Sequence, residues 1–318
     1  MNKKIVAFAG GVGGAKLVDG LSKATNPENL TVIVNTGDDF EYLGLNICPD
    51  LDTICYTLAG INNPLTGWGR YEETWNAFNN INLLGGPSWF HLGDKDLGLH
   101  LERTRKLKDG MRLSNVTQDF LKAWNVKTGV FPMSDDPVRT MVDTKEYGEI
   151  TFQEYFVKNQ YKPVVKGFRF EGAESAQMAK GASEAIHSAD IIVFCPSNPW
   201  VSIDPILAIP GIQEAIKDKM VIAVSPIIGS ETVKGPAAKI YREMGIEPSC
   251  VSVASHYHDK ISGIIIDEID KSLCSEIKNL GIEPLVTKTL MQTSEDRRKL
   301  AEDTIGFYNN LELNRLLS

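Results

Sequence analysis

Ile5-Val6-Ala7-Phe8-Ala9-Gly10-Gly11-Val12-Gly13-Gly14-Ala15-Lys16-Leu17, continued by Leu30-Thr31-Val32-Ile33-Val34-Asn35-Thr36-Gly37-Asp38-Asp39, sets the architecture of the chain. Ile5–Ala9 is a short apolar run closed by glycines, as expected of a parallel strand covered on both faces. Ala15, Leu17, Val18, Leu21 and Ala24 then recur at helical spacing, and Leu30–Val34 is a second buried run. Strand, glycine turn, helix and strand make one βαβ unit, with the right-handed crossover that such units adopt. The fold class predicted is α/β: a Rossmann-like three-layer α/β/α arrangement around a mostly parallel sheet.

Further apolar runs extend the sheet: residues 128–133, residues 190–195, Met220–Val224, and weaker ones at 263–267 and 285–287. Residues 139–143 and 149–156 read as a hairpin around Tyr147-Gly148, with another strand at 164–170. Helices are expected at 174–187 and at 294–309, the latter capped by Ser294. Between the second strand and residue 128 the pattern changes to helical segments at 51–60, 72–82, 97–107 and 114–124, joined by loops rich in glycine, proline and aromatics. Residues 1–60 and 127–318 are therefore read as the core, and 61–126 as a mostly helical insertion on the ligand side of the sheet.

The glycine stretch carries the first chemical signal. Small residues let the backbone approach a phosphate, and the N–H groups that open a helix point at it. Lys16 stands where a dinucleotide fingerprint needs its third glycine; Ala15 and Leu17 replace the glycine and the Ser/Thr that flank the lysine of a Walker loop. Any metal must find its ligands elsewhere. Asp38-Asp39, Asp50 and Asp52, Asp94 and Asp96, and Asp135-Asp136 fall in loops or just past strand ends, where open parallel sheets bind ligands. Magnesium takes one or two carboxylates and completes its shell with phosphate oxygens and water. Each pair also has a plain structural reading, as a turn or a helix cap.

The remaining features bound the function. With 33 basic against 41 acidic residues and a net charge of -8, the chain lacks the basic stripe of a nucleic-acid binder. No apolar run is long enough to span a bilayer, and the five residues after Lys4 are too short for the apolar core of a signal peptide. The five cysteines form no CxxC pair, which reads as reduced thiols in a cytoplasmic protein. His256-Tyr257-His258 sits in a presumed helix start where its histidines do not share a face, and is taken as structural. His91 and His100 flank Asp94 and Asp96, and Trp68, Trp75 and Trp89 offer rings that stack on a flat heterocycle or simply pack.

Together these segments resemble the 2-phospho-L-lactate transferase family of deazaflavin coenzyme F-420 biosynthesis. The matching stretches are GGVGGAKL (10–17), NTGDD (35–39), PDLDT (49–53), GWGRYEETW (67–75), LGDKD (92–96), PMSDDP (132–137), PSNP (196–199) and SPIIG (225–229), in order over most of the chain. The GWG…ETW stretch is closer to bacterial members than to archaeal ones. The resemblance implies a donor that is a guanosine diphosphate ester of 2-phospholactate or phosphoenolpyruvate. It further implies that the acceptor is the hydroxyl of the deazaflavin Fo, that GMP leaves, that the metal is Mg2+ and that the assembly is a homodimer. It implies that Gly10, Gly11, Val12, Gly13, Gly14, Lys16, Asn35, Ser197 and Asn198 hold the nucleotide, and that Asp38, Asp39 and Asp50 hold the metal. Asp52, Thr53, His91, Asp94, Lys95 and Met133 then face the acceptor, with Asp52, Asp50 and Lys95 as catalytic groups. Lys95 departs from the arginine common in the family, exchanging a bidentate fork for a point charge. A sister family of nucleotide-sugar-binding regulators, the gluconeogenesis factors, shares the glycine loop and the PSNP turn and is the second reading. A nicotinamide oxidoreductase is the third.

Overall fold

The computed structural model describes residues 3–233 and 235–317. In chain order its first part runs β1 (Ile5–Ala9), α1 (Gly11–Ala24), β2 (Leu30–Val34), β3 (Phe40–Tyr42), β4 (Leu45–Ile47) and α2 (Pro49–Leu58). Three helices follow, α3 (Asn76–Leu83), α4 (Asp94–Lys108) and α5 (Leu113–Ala123), and then β5 (Gly129–Pro132), β6 (Arg139–Thr144), β7 (Gly148–Thr151) and β8 (Val165–Glu171). The second part holds α6 (Lys180–Ser188), β9 (Ile191–Phe194), α7 (Asp204–Leu207), α8 (Ile212–Ile216), β10 (Met220–Val224), β11 (Ile227–Ile228), β12 (Glu231–Thr232) and α9 (Ala237–Glu243). It closes with α10 (Cys250–His256), β13 (Gly263–Ile266), α11 (Cys274–Asn279), β14 (Glu283–Val286) and α12 (Ser294–Leu317).

The main sheet has the order β14-β13-β10-β9-β1-β2-β5, and every pair in it is parallel. Alternation along the strands splits the core into two layers. Val6, Phe8, Ile192 and Phe194 face one apolar cluster, covered by α6, α8 and α10. Ala7, Ala9, Val32 and Val193 face the other, against α1, α2 and α12. This is the three-layer α/β/α architecture that continuous apolar strands require, because both faces must be covered. Strand order reverses between β1 and β9, the switch point beyond which such sheets hold ligands. A separate antiparallel sheet, β7-β6-β8, stands beside it, and a small satellite core of Tyr42, Leu45, Ile47 and Leu92 joins the β3–β4 hairpin to the stretch that follows α3.

Several expected boundaries move, each for a physical reason. Gly11, Val12, Gly13 and Gly14 form the first turn of α1 rather than a loop before it, because packing overrides the low helix propensity of glycine. The strand expected over 149–156 stops at Thr151 and becomes a π-helical turn, Glu154–Lys158. The helix expected from 174 begins at Lys180, leaving a single tight turn at Ala173–Ser175. The last helix runs on to Leu317, and its cap is Thr293, not Ser294. Thr293 Oγ1 accepts the Asp296 N–H at 3.1 Å, and the Asp296 carboxylate accepts the Thr293 N–H at 2.8 Å, a reciprocal capping box. His256 ends α10 instead of starting a helix, and its Nε2 meets both carboxylate oxygens of Asp204 at 2.9 Å, a packing role.

Candidate active site

A crevice of about 740 Å³ opens at the carboxyl ends of β1, β2, β9, β10 and β14. Gly10, Gly11, Val12, Gly13 and Lys16 form its floor, with Ser197 and Asn198 beside them. Two of these glycines are obligatory. Gly11 sits at φ +59°, a left-handed position that side chains resist, and a Cβ on Gly13 would collide with the Pro196 carbonyl. The two turns are stitched together by the Ser197 hydroxyl, which donates to the Gly10 carbonyl at 2.7 Å. Asn198 Oδ1 accepts the Trp200 N–H and starts the π-helical turn Pro199–Ile203. Gly14 is packed against Ser197 and does not line the crevice, while Lys16 reaches across to the Met291 carbonyl at 2.8 Å.

The acids come from two neighbouring elements. Asp38 follows β2, and Asp50 and Asp52 occupy the first turn of α2, where a helix dipole favours negative charge. Asp50 Oδ1 accepts the Gly11 N–H at 2.7 Å and Oδ2 accepts Asn35 Nδ2 at 2.9 Å. Asn35 is fully buried, also donates to the Val201 carbonyl, and so positions Asp50 rather than touching the crevice. Burial, then the neighbouring Asp50 charge, pushes the Asp38 carboxyl well above its ordinary range. Burial pushes Asp39 up to about 7 and Asp50 up to about 6. Asp38 Oδ1 and Asp39 Oδ1 are buried without a hydrogen-bond partner among the described residues. Asp39 lies behind the wall, next to Cys48.

Asp52 lines the crevice and is clamped by Arg103, a residue the sequence reading missed. Arg103 is 1% exposed, bonds both Asp52 oxygens, and donates to the Asn46 carbonyl at 3.3 Å and His100 Nδ1 at 3.2 Å. Since arginine only donates, His100 Nδ1 accepts. Burial, then the Arg103 charge, holds this imidazole well below its ordinary pKa, so it is neutral. The available signal was the i, i+3 spacing of His100 and Arg103 beside Leu99, which places a basic group on the apolar face of α4.

The other expected site residues divide. Thr53 and His91 line the crevice, as does Asp96, which burial pushes up to about 6. Asp94 does not: its carboxylate accepts Thr74 Oγ1, the Asn76 and Ala77 N–H groups and Asn76 Nδ2, pinning the start of α3. Those bonds, the Thr74 hydroxyl foremost, hold it well below the usual carboxylate range. Lys95 Nζ donates to the carbonyls of Tyr71 at 2.9 Å and Glu72 at 2.7 Å, away from the crevice wall. Met133 is fully buried in the core. Asp135 caps α5 through Ser114, and Asp136 accepts the Gln177 N–H, so this pair serves turns. Of the tryptophans, Trp68 and Trp89 line the crevice and Trp75 packs on Phe78 and His91 outside it.

A pH dependence follows. Acids with raised folded-state values hold protons that the unfolded chain, at ordinary values near ~4, has released. Asp39, Asp50 and Asp96 therefore contribute stability that is present at low pH and lost as pH rises through about 6 to 7. Without magnesium or nucleotide, the melting temperature is expected to fall between pH 5 and 7.5 in a calorimetric series; a rise over that window would contradict the assignment.

A parallel sheet whose switch point opens on a glycine floor and a rim of buried acids defines a doubly wound α/β protein with a crevice at the position where such folds bind ligands. Residues 5–305 match the family model described as 2-phospho-L-lactate transferase CofD. The chain is 41% identical over 309 residues to a phosphoenolpyruvate transferase of Streptomyces griseus, covering 95% of this chain and 97% of that one. It is 37% identical over 310 residues to a 2-phospho-L-lactate transferase of Methanocaldococcus jannaschii, covering 96% and 99%. A solved structure from Bacillus halodurans superposes with a TM-score of 0.64 over 95% of this chain and 99% of that one, at 19% identity, a likeness of fold alone. The chain belongs to the 2-phospho-L-lactate transferase CofD family of transferases.

Proposed function

We propose that the chain moves an enolpyruvyl-phosphoryl or 2-phospholactyl group from a guanosine diphosphate ester to the terminal hydroxyl of the deazaflavin Fo, releasing GMP in coenzyme F-420 biosynthesis. The observation that carries this reading is the placement of Asp38 and Asp50 beside the glycine floor in one crevice. The first turn of α1 presents N–H groups to the diphosphate, and the Ser197-Asn198 turn closes on it. The acceptor oxygen forms a bond to the acid-bearing phosphorus while the bond from that phosphorus to the GMP oxygen breaks, and the hydroxyl proton passes to Asp52. Asp52, fixed by Arg103, accepts a hydrogen bond from the acceptor hydroxyl and orients it for in-line attack. Lys95 acts through the Tyr71–Glu72 backbone that it braces, not on the reacting atoms.

Magnesium fits this donor set. Among the described residues no three acidic, histidine or cysteine side chains converge to hold an ion by themselves. One or two carboxylates suffice when phosphate oxygens complete the shell, and Asp38 has a buried oxygen with no partner. Asp38 and Asp50 would hold the ion, with Asp39 behind them, and it would neutralise charge on the diphosphate.

Incubation with Fo, magnesium and each guanylylated donor, following GMP and the new phosphodiester, tests the proposal. The enolpyruvyl donor comes first, since identity to the phosphoenolpyruvate transferase of Streptomyces is the higher, 41% against 37%. No GMP above background with either donor, together with tight binding of UDP-sugars, would favour the regulatory reading. Asp52→Asn is expected to abolish turnover and leave GDP affinity within about tenfold, because the lost contact matters mainly in the transition state. Equal loss of both would assign Asp52 a structural role.

A further inference from the structure

The bond from Arg103 to His100 fixes more than the charge of the imidazole. Arg103 Nη1 donates to His100 Nδ1 at 3.2 Å, so in the neutral ring the proton sits on Nε2. Among the described residues no group accepts that proton. The ring is 3% exposed and lines the crevice, one helical turn after Asp96 on the same face of α4. A ring N–H left without a protein acceptor, on a group this buried, is costly unless a ligand supplies the acceptor.

Asp50 and Asp52 leave the first turn of α2 in different directions, because residues two apart on a helix do not share a face. Asp50 meets the Gly11 N–H, and Asp52 meets Arg103 of α4. The crevice thus has a floor side, with the glycines, Asp38 and Asp50, and an α4 side, with Asp52, Asp96 and His100. On the α4 side Asp52 Oδ2 lies 3.8 Å from His100 Nδ1. The two groups are complementary there: the carboxylate takes a proton, and the Nε2–H offers one in a hydrogen bond. Arg103 does not fill the same role, since its guanidinium is 1% exposed and spent on Asp52, the Asn46 carbonyl and His100 itself. Its charge and the burial of the ring keep the imidazole from becoming a cation that would pair with Asp52.

We propose that His100 is a further catalytic residue, whose Nε2–H donates to a non-bridging oxygen of the phosphoryl group under transfer. The proposal rests on the transferase reading above. The hydrogen bond strengthens as charge gathers on that oxygen, and the ring keeps its proton throughout, as a neutral imidazole electrophile does. A cation held by Asp38 and Asp50 neutralises the donor from the floor side, and His100 serves the side from which the acceptor hydroxyl attacks.

Two measurements test this. NMR of the full chain with 15N-labelled histidine reads the tautomer without turnover, His100 being the signal missing from His100→Gln. The proton is expected on Nε2, with no titration of the ring between about pH 5 and 8. Steady-state kinetics follow, with melting temperature and GDP affinity as controls. His100→Phe keeps a ring without a donor, and is expected to lower kcat about 10²-fold with the KM for Fo within about threefold. His100→Gln, whose Nε2 reaches to about the same point, is expected to recover most of that loss. A proton on Nδ1 or a ring that titrates in this range overturns the proposal. So does full kcat in His100→Phe, a loss confined to KM, or a glutamine variant as slow as the phenylalanine one. The transferase reading survives each of these results while the unaltered chain releases GMP. No GMP from the unaltered chain with Fo and either donor overturns that reading, and this proposal with it.

Discussion

Asp50→Asn is expected to lower the transfer rate by about 10²–10³-fold, the scale seen when one preorganised electrostatic group is removed from a reacting centre. Asp50 does two things that an amide cannot do together. It accepts from Gly11 on one oxygen and from Asn35 on the other, and its charge acts with that of Asp38 beside the glycine floor. In the variant the new Nδ2 faces a donor, so one of the two bonds is lost. The fold is expected to survive, because burial already disfavours the Asp50 charge and a neutral group relieves that cost. Steady-state rates at saturating donor and acceptor, with melting temperature as control, decide the matter. A variant that keeps full turnover would remove Asp50 from the chemistry.

Arg103→Met is the second large effect, and it is expected to appear first in stability. The change leaves Asp52 buried without its partner, which typically costs about 3–5 kcal/mol. Urea unfolding measures it. Replacing both members, Arg103→Met with Asp52→Leu, is expected to recover much of the loss, because a well-packed apolar pair is about as stable as a buried ion pair. Activity is expected to be absent in the double variant, since it lacks the acid proposed to accept the hydroxyl's hydrogen bond. If the single change costs under about 1 kcal/mol, the pair behaves as a solvated one and the clamp on Asp52 is not what fixes it.

The parallel strands were legible because burial on both faces leaves a continuous apolar run; Met220–Val224 was read to the residue. The glycines and the acids after β2 were legible because close backbone approach and strand-end position leave local marks. What escaped depends on contacts distant in sequence. Arg103 sits in the polar run Glu102-Arg103-Thr104-Arg105-Lys106, where its spacing from His100 is the only local mark of burial, and its partner Asp52 lies 51 residues away. The π-helical turn at Glu154–Lys158 was read in part as a strand because Thr151-Phe152-Gln153-Glu154-Tyr155-Phe156 is rich in aromatics that favour strands. Asp94 and Lys95 were expected at the site from their neighbours in the family pattern, and only the three-dimensional path of residues 71–77 shows them serving the loop.

The central position of β1 has a consequence for synthesis. Ile5 pairs with Leu30 on one side but with Ile191 on the other, and Lys16 finds Met291 only at the far end of the chain. A nascent polypeptide leaving the ribosome thus carries a half-paired, wholly apolar strand for about half of its translation, the kind of open edge that invites aggregation and chaperone capture. The floor of the crevice settles only when α12 docks on α1, where Gly20 passes too close to the Arg297 carbonyl to admit a Cβ. A chain stalled before residue 289 owns most of the sheet but not yet the residues that close the crevice beside Lys16.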